Sequence, residues 1–259
     1  MTDTLTTEID GQGVATVTLN LPDSRNALSG AMIGELTEAA EHLGADPSIR
    51  AVVLRGAGKV FCAGGDLTWM KAQIAATRAE RIAEATRLAD MFGRLNEMPK
   101  PLIVRIHGGA FGGGVGLACV ADVAVAAEGT TFGLTETKLG LIPATISPYV
   151  IARMGEGRAR QVFMSSRTFD ADEAVRLGIV ARVVPEPELD DAVRAEVEPF
   201  LHVAPGAVAA SKRLARELGP RIDAQVVAAT ILRLADTWEG DEAAHGIDAF
   251  LSRTKPRWA

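Results

Sequence analysis

Glycine dominates the stretch HGGAFGGGVGLACV at residues 107–120, where six of the nine positions from Gly108 to Gly116 are glycine. Glycine raises the entropy of the unfolded chain and removes side chains from packing, so the stretch is unfavourable for stability. A strand-like run, Leu102–Ile106, precedes it, and a helix-like run, Val115–Val120, follows it. Bare backbone at a helix start presents unpaired N–H groups and the positive end of the helix dipole. The stretch therefore predicts a site for an anion or for the oxyanion of a polarised carbonyl.

Two known phosphate-binding loops share this strand–loop–helix plan, and the spacing excludes both. A P-loop needs G-x-x-x-x-G-K-[ST], but Gly114 stands where the lysine is required. A dinucleotide fingerprint needs G-x-G-x-x-G. After Gly114-x-Gly116 the third glycine is replaced by Cys119, and after Gly112-x-Gly114 it is replaced by Leu117. Close packing of a strand on a helix is the structural alternative, although one or two glycines would suffice for it.

A second stretch, GAGKVFCAGGDL at residues 56–67, has the same organisation. It begins at a strand end, and Gly64 and Gly65 precede Asp66, a candidate cap for a helix that begins at Leu67. In open α/β sheets, ligands collect at the carboxyl ends of the strands, where both stretches are expected to lie. Together the two stretches predict a pair of backbone donors for one carbonyl oxygen.

Strand-like and helix-like runs alternate through the first two thirds of the chain, which predicts an α/β fold. The middle strands are almost continuously apolar, as strands covered on both faces are. The predicted strands are Val14–Leu19, Ala51–Arg55, Leu102–Ile106, Asp122–Ala126 and Ile179–Val184. The predicted helices are Ser29–Leu43, one or two helices within Leu67–Glu97, and Asp170–Leu177.

The last part of the chain, from Glu188 to Leu251, is almost wholly helical in its periodicity. Breaks at Pro199, Pro205, Pro220 and Gly240 divide it into about four helices. An apolar stripe in this region requires a partner surface, which is either a second subunit or the chain's own core. The stripe consists of Val226, Val227, Ile231 and Leu234.

Composition limits the class of protein. The chain has 259 residues, 47% of them hydrophobic, and a net charge of −6, which fits one large domain or one domain with an appendage. The acidic balance argues against a nucleic-acid partner, and no apolar run approaches the ~20 residues of a membrane span. Cys62 and Cys119, both in apolar surroundings, predict buried thiols and a cytoplasmic location, with a disulfide as the less favoured alternative. None of the four histidines has ligand spacing, so no metal site is expected.

The chain resembles the crotonase (enoyl-CoA hydratase/isomerase) superfamily in motifs that occur in the right order over nearly its whole length. The resemblance implies a spiral of ββα units in residues 1–187 that binds acyl-CoA, and a helical region for trimerisation in residues 188–259. It also implies a homotrimer or a dimer of trimers, with no cofactor because coenzyme A is part of the substrate. The motifs are PDSRNAL (22–28), FCAGGDL (61–67), HGGAFGGGVGL (107–117), FGLTETKLGLIP (132–143), FDADEAVRLGI (169–179) and FLSRTKPRW (250–258).

The resemblance also assigns roles to individual residues. The backbone N–H groups of Ala63 and Gly113 would hold the enolate oxygen of the thioester, and Arg25 and Lys255 would lie near the CoA phosphates. The remaining residues expected along the acyl-CoA path are Ala27, Gly64, Gly65, Asp66, Leu67, Gly109, Gly112 and Gly116.

One glutamate is expected to carry the acid–base chemistry. Typical hydratases of the superfamily hold a water between two glutamates; the second is present as Glu136, whereas Gly116 stands at the position of the first. A glutamate in the first turn of a predicted helix is also favoured by the helix dipole without any function. Its apolar neighbours, among them Leu134 and Leu139, should raise the pKa of Glu136, as an acid–base group at neutral pH requires.

The segment LGLIPATISPYVIARMGEGRAR at residues 139–160 is most similar to bacterial methylglutaconyl-CoA and isohexenylglutaconyl-CoA hydratases. This similarity implies hydration of a branched or carboxylated enoyl-CoA. Gly116 would leave room beside C3 of the acyl group and remove a charge that repels a substrate carboxylate. A Δ3,Δ2-enoyl-CoA isomerase that uses Glu136 alone is the alternative. A non-catalytic acyl-CoA or RNA binder is a further one, which the retained Glu136 and the acidic charge disfavour.

Overall fold

The computed structural model describes residues 4–259 and contains two β-sheets surrounded by helices. The strands are β1 (Leu5–Ile9), β2 (Val14–Leu19), β3 (Ala51–Gly56), β4 (Leu102–Ile106), β5 (Gly109–Phe111), β6 (Val123–Ala127), β7 (Thr131–Gly133), β8 (Thr168–Asp170) and β9 (Arg182–Val184). The helices are α1 (Gly30–Ala45), α2 (Leu67–Ala75), α3 (Arg78–Glu97), α4 (Gly113–Val120), α5 (Ser147–Met154), α6 (Glu156–Phe163), α7 (Ala171–Leu177), α8 (Leu189–Leu201), α9 (Pro205–Leu218), α10 (Ala224–Trp238) and α11 (Asp241–Leu251).

The larger sheet has six strands in the order β1-β2-β3-β4-β6-β9. All neighbouring pairs are parallel except β1 and β2, which are antiparallel. The apolar runs that predicted β2, β3, β4 and β6 match these strands to within a residue at each end. The sequence gives no signal for β1, because four of its five residues are exposed and its pattern is polar.

A second, smaller sheet is formed by short strands that lie between the strands of the large sheet and the helices that follow them. Its strands β5, β7 and β8 are three residues each, and two isolated parallel bridges, Leu28 with Gly65 and Cys62 with Ala110, extend the same pattern. After β2, β3 and β4, the chain therefore makes a short extended segment before it enters a helix. This strand–short strand–helix repeat is the ββα spiral that the resemblance implies. Three-residue strands are too short to show a period of two in the sequence.

Capping side chains fix the helix boundaries near the predicted positions. Ser29 Oγ accepts from the Met32 N–H at 3.2 Å at the start of α1, and Asp170 caps α7. Thr77 and Glu80 form a reciprocal capping box at the start of α3. This box divides the predicted Leu67–Glu97 segment into α2 and α3.

Four helices follow β9, as predicted, although one of the predicted breaks is wrong. The breaks at Pro205, Pro220 and Gly240 agree with the gaps between α8, α9, α10 and α11. Pro199 instead lies inside α8, two residues before its end. A proline there removes one backbone hydrogen bond of the last turn, which the packing of α8 offsets.

Three of these C-terminal helices, α8, α10 and α11, pack on the core of their own chain. Leu189, Val193 and Val197 of α8 cover the outer face of the large sheet. On α10, Ile231 and Leu234 pack in one cluster with Ala85 and Ala89 of α3. The chain's own core, not a second subunit, is therefore the partner surface of these two residues. Val226 and Val227 are only half-buried.

Truncation of Ile231 tests this packing. Ile231→Ala should lower the free energy of unfolding by about 2–4 kcal/mol, because it leaves a cavity against α3. Leu232→Ala, on the same helix but 47% exposed, is the matched control and should change it by less than about 0.5 kcal/mol. Chemical denaturation measures both. A larger effect at Leu232 than at Ile231 would contradict the packing described.

Candidate functional site

A cavity of about 90 Å³ lies between the two glycine-rich stretches and the C-terminal helices. Three of the predicted site residues, Gly65, Gly113 and Glu136, line it. Its other lining residues are mostly apolar. They are Leu28, Ile33, Trp69, Met70, Leu88, Leu141, Ile142, Pro143, Ala144, Thr145, Ile146, Leu234 and Trp238.

The buried side chain of Asn26 shapes the first wall of the site. Its Oδ1 accepts from the Leu21 N–H at 3.0 Å, and its Nδ2 donates to the carbonyls of Ala57 at 2.8 Å and Val60 at 3.0 Å. These bonds hold Arg25 and Asn26 in the left-handed region, with φ of 55° and 53°, where residues other than glycine are uncommon. The 22–28 motif therefore has a structural role, which is to fix the loop that follows β3.

The predicted donor Ala63 is wrong, because its N–H is already used. It donates to the carbonyl of Arg25 at 3.0 Å, so it has no hydrogen left for a substrate. The Gly65 N–H donates to no residue within 4–259, and Gly65 lines the cavity. The free donor of this loop thus lies two residues after the predicted one.

Gly113 supplies the second free donor at the first position of α4. The N–H of Gly112 is bound to the carbonyl of Gly133 at 2.9 Å, and the Gly116 N–H begins the helical series by donating to Gly112 at 3.1 Å. The Gly113 N–H is one of the orphan donors of the helix start. A Cβ at this position would lie 2.6 Å from Leu28 Cδ1, so a larger residue would require the Leu28 side chain to move.

The carboxyl group stands on a 3-10 turn, Glu136–Leu139, rather than on the predicted α-helix. Thr137 Oγ1 bonds to Ser166 Oγ and fixes the turn from one side. On the other side α11 approaches so closely that a Cβ at Gly246 would lie 2.6 Å from the carbonyl carbon of Leu139. Contacts far apart in sequence therefore determine the position of Glu136.

Burial sets the acidity of Glu136. Desolvation raises the pKa of its carboxyl from 4.5 to about 7, and its own backbone N–H opposes the shift weakly. Oε2 is buried without a hydrogen-bond partner, and Oε1 lies 2.9 Å from the position of a Cβ on Gly112. The group can exchange a proton near neutral pH, which general acid–base chemistry requires.

The space beside Gly116 is filled, which overturns the predicted reason for this glycine. A Cβ there would lie 2.5 Å from Ile146 Cγ2 and 2.9 Å from Phe92 Cε1, and both neighbours are almost fully buried. Gly116 does not line the cavity. The missing side chain therefore leaves no room for an acyl branch, because Ile146 and Phe92 pack where it would stand.

Most other predicted site residues build the walls rather than line the cavity. Gly64 has a φ of 93°, and a Cβ on it would lie 2.9 Å from the carbonyl oxygen of Phe111. Asp66 caps α2 by accepting from the Trp69 N–H at 2.9 Å. Ala27 is buried, Leu67 is 47% exposed, and Gly109 lies in β5.

Arg25 and Lys255 are exposed and do not line the cavity. Neither makes an ion pair or a hydrogen bond through its side chain within residues 4–259. Arg25 and Lys255 are therefore not part of the cavity that Gly65, Gly113 and Glu136 line.

Several lining residues carried no signal in the sequence. Trp69 is held by a hydrogen bond of 3.2 Å from its Nε1 to Glu84 Oε2, and Leu234 and Trp238 arrive from α10. The uncharged loop 141–146 follows the Glu136–Leu139 turn and Gly140, and it could have indicated Thr145 and Ile146. Among the described residues, no lysine, arginine or histidine lines the cavity.

No helix in residues 4–259 is long and apolar enough to cross a membrane. Over the same range, no three histidine, cysteine, aspartate or glutamate side chains are grouped so that they could hold a metal ion.

The ββα spiral, with its cavity at the carboxyl ends of the parallel strands, places the protein in the crotonase fold class. A crystal structure of an enoyl-CoA hydratase from Shewanella pealeana is 36% identical, over 98% of this chain and 96% of that chain, with a TM-score of 0.81. A crystal structure of an enoyl-CoA hydratase/isomerase from Marinobacter aquaeolei is 37% identical over 98% of both chains, with a TM-score of 0.80.

The curated enoyl-CoA hydratase ACTT6 of Alternaria alternata is 36% identical over 206 residues, which are 79% of this chain and 67% of that protein. A sequence model of the enoyl-CoA hydratase/isomerase family matches residues 10–259. The chain belongs to this family, and membership implies an acyl-CoA thioester as substrate.

Filling the site of Gly116 should destabilise the protein. Gly116→Ala forces Ile146 and Phe92 apart and should cost about 1–3 kcal/mol of unfolding free energy, and Gly116→Glu should cost more. Gly157→Ala in α6 is the control, because nothing lies within 4 Å of its added Cβ; it should be neutral or stabilising by up to about 1 kcal/mol. A Gly116→Ala protein as stable as wild type would show that the packing is looser than described.

Removal of the Glu136 charge should stabilise the protein in a pH-dependent way. Because folding raises the pKa from 4.5 to about 7, the folded state binds the proton more tightly, and wild-type stability falls as pH rises through that window. Glu136→Gln does not titrate. Its stability relative to wild type should increase by up to about 3 kcal/mol between pH 4 and pH 8. Denaturation curves at both pH values test this, and a difference that does not change with pH would refute the raised pKa.

Proposed function

We propose that this protein is an enoyl-CoA hydratase, in which Glu136 transfers the proton and the N–H groups of Gly65 and Gly113 hold the thioester oxygen. One observation carries the proposal: a buried, unpaired carboxyl with a pKa of about 7 shares a cavity with two backbone positions whose N–H groups are free. Two such donors stabilise negative charge on an oxygen in the transition state.

The reaction needs only these groups and water. As the water oxygen bonds to C3, the electrons of the C2=C3 double bond move toward C1 and produce an enolate oxygen between the two N–H groups. The Glu136 carboxylate takes one proton from the water and delivers it to C2. This returns the carboxylate to its starting state and adds one water molecule across the double bond.

The lining of the cavity supports an uncharged acyl group. A carboxylate within this apolar cavity would be desolvated, and no cationic side chain among the described residues lines the cavity to compensate it. This argues against a carboxylated substrate. Outside the cavity, the exposed and unpaired cations Arg25 and Lys255 are proposed to bind the CoA phosphates.

A Δ3,Δ2-enoyl-CoA isomerase is the second candidate, favoured by the single carboxyl group. Gly116 contributes no second carboxylate, and one acid–base group suffices to move a proton between C2 and C4. The relatives reported above include both hydratases and a hydratase/isomerase, so the chemistry has to be measured.

The assembly and location are proposed on separate grounds. No residue of helix α9 is fully buried, and its Leu214 and Leu218 are 56% and 81% exposed. An apolar face of this kind supports the homotrimer, or dimer of trimers, expected from the sequence. The two buried free thiols, Cys62 and Cys119, support a cytoplasmic location.

A panel of thioesters distinguishes the proposals. Crotonyl-CoA, its 3-methyl-branched analogue, 3-methylglutaconyl-CoA and a 3-enoyl-CoA are assayed for hydration and for the double-bond shift separately. Hydration of the uncharged 2-enoyl thioesters is expected, with little turnover of 3-methylglutaconyl-CoA. A double-bond shift without hydration would establish the isomerase, and thermal stabilisation by CoA without any turnover would establish a binder.

Glu136 sets the expected pH profile. Because the ionised carboxylate accepts the proton of water, kcat/KM for hydration should rise tenfold per pH unit below about pH 7 and level off above it. Glu136→Gln should lower kcat by at least about 10²–10⁴-fold. Steady-state kinetics from pH 5 to pH 9 measure both effects, and a flat profile would remove Glu136 from the mechanism.

A further inference from the structure

Apart from Glu136, only one side chain lining the cavity within the described residues carries an oxygen. Thr145 lies on the loop between the Glu136 turn and α5, is only 7% exposed and lines the cavity. Its hydroxyl makes no hydrogen bond to any residue within 4–259. The Ser147 hydroxyl on the same loop, by contrast, is satisfied by the carbonyl of Ala144 at 2.7 Å.

An unbonded hydroxyl in an apolar wall is unfavourable for stability. Valine at this position would avoid that cost, because it has the same shape without the hydroxyl. Thr145 lines the cavity, and its hydroxyl binds nothing in the described part of the protein, so the hydroxyl is available to a molecule inside the cavity. Water is the polar reactant that the proposed function brings there.

The loop that carries Thr145 also replaces the missing side chain of Gly116. Ile146 Cγ2 occupies the space beside Gly116, 2.5 Å from the position of its Cβ, and Thr145 is the adjacent residue. The same loop is tied to the turn that carries Glu136, since the Leu141 N–H donates to the backbone carbonyl of Glu136 at 3.1 Å. The loop therefore places an apolar side chain beside Gly116 and a hydroxyl in the wall that Glu136 also lines.

We propose that Thr145 positions the attacking water in place of a second carboxylate. Its hydroxyl accepts one hydrogen of the water while Glu136 takes the other, so that a lone pair on the water oxygen is directed at C3. Thr145 stays protonated and exchanges no proton with the substrate. This inference rests on the proposed hydration. The role that it assigns to Thr145 requires a hydroxyl group.

The test compares Thr145→Val with Thr145→Ser in the full-length protein. Thr145→Val should lower kcat for crotonyl-CoA hydration by about 100-fold with little change in KM, because the water loses its second fixed contact. Thr145→Ser should retain most of the activity. Thr130→Val is the control: this threonine is also buried without a hydrogen bond, lies outside the cavity, and should leave kcat unchanged.

Deuterium exchange at C2 of butyryl-CoA in D2O provides a second measurement. This saturated thioester cannot be hydrated, but Glu136 and the two N–H groups can still exchange its C2 proton. Thr145→Val should leave the exchange rate near that of wild type. Equal losses of hydration and exchange, or a loss confined to KM, would mean that Thr145 has only a structural role and would overturn the proposal.

The remaining outcomes are also decisive. Wild-type hydration by Thr145→Val would overturn the role of Thr145 and leave the hydratase intact. If wild type exchanges the C2 proton but hydrates no thioester of the panel, the hydratase proposal and this inference both fail. If Thr145→Val does not fold, Thr145→Ala replaces it, with circular dichroism to establish folding and Thr145→Ser as the reference.

Discussion

The structure depends on one unfavourable feature, a buried carboxyl group that no other group in the protein neutralises. Bulk water would solvate the Glu136 carboxylate and return its pKa to an ordinary value, so the apolar walls that keep bulk water away produce the value of about 7. A buried group without a hydrogen bond is also free to move unless its backbone is fixed. Ser166 on one side and the close approach of Gly246 on the other supply that restraint.

The glycine-rich stretches solve a different problem, the close approach of two loops at the strand ends. A Cβ on Gly114 would lie 2.7 Å from the carbonyl oxygen of Cys62, and one on Gly64 would lie 2.9 Å from that of Phe111. Four of the ten glycines in these stretches, Gly56, Gly64, Gly108 and Gly114, therefore allow backbone to pack on backbone. Few N–H groups remain unpaired at the cavity wall after this packing, and those of Gly65 and Gly113 are the ones that the lining exposes.

Patterns among neighbouring residues in the sequence predicted the features that depend on neighbouring residues. Apolar runs, caps and prolines located the parallel strands, most helices and the four C-terminal helices, and the motif around Glu136 located the carboxyl group. The donor at Ala63 was misassigned because its N–H is occupied by Arg25, 38 residues earlier in the chain. The space at Gly116 was misjudged because Phe92 and Ile146 fill it from elsewhere. Tertiary contacts of this kind leave no trace in the spacing of nearby residues.

The single carboxylate also has an electrostatic consequence. A second glutamate in the same apolar cavity would repel the first, and the two would share one proton over a wide pH range. A neutral hydroxyl on the 141–146 loop can orient water without that repulsion. The pKa of Glu136 is then set mainly by burial and stays near 7, where a carboxyl can accept a proton from water and return it to carbon with comparable ease. Ile146 packs against Gly116 and therefore fills the space of a second carboxylate. The same packing keeps the pKa of Glu136 near neutral pH.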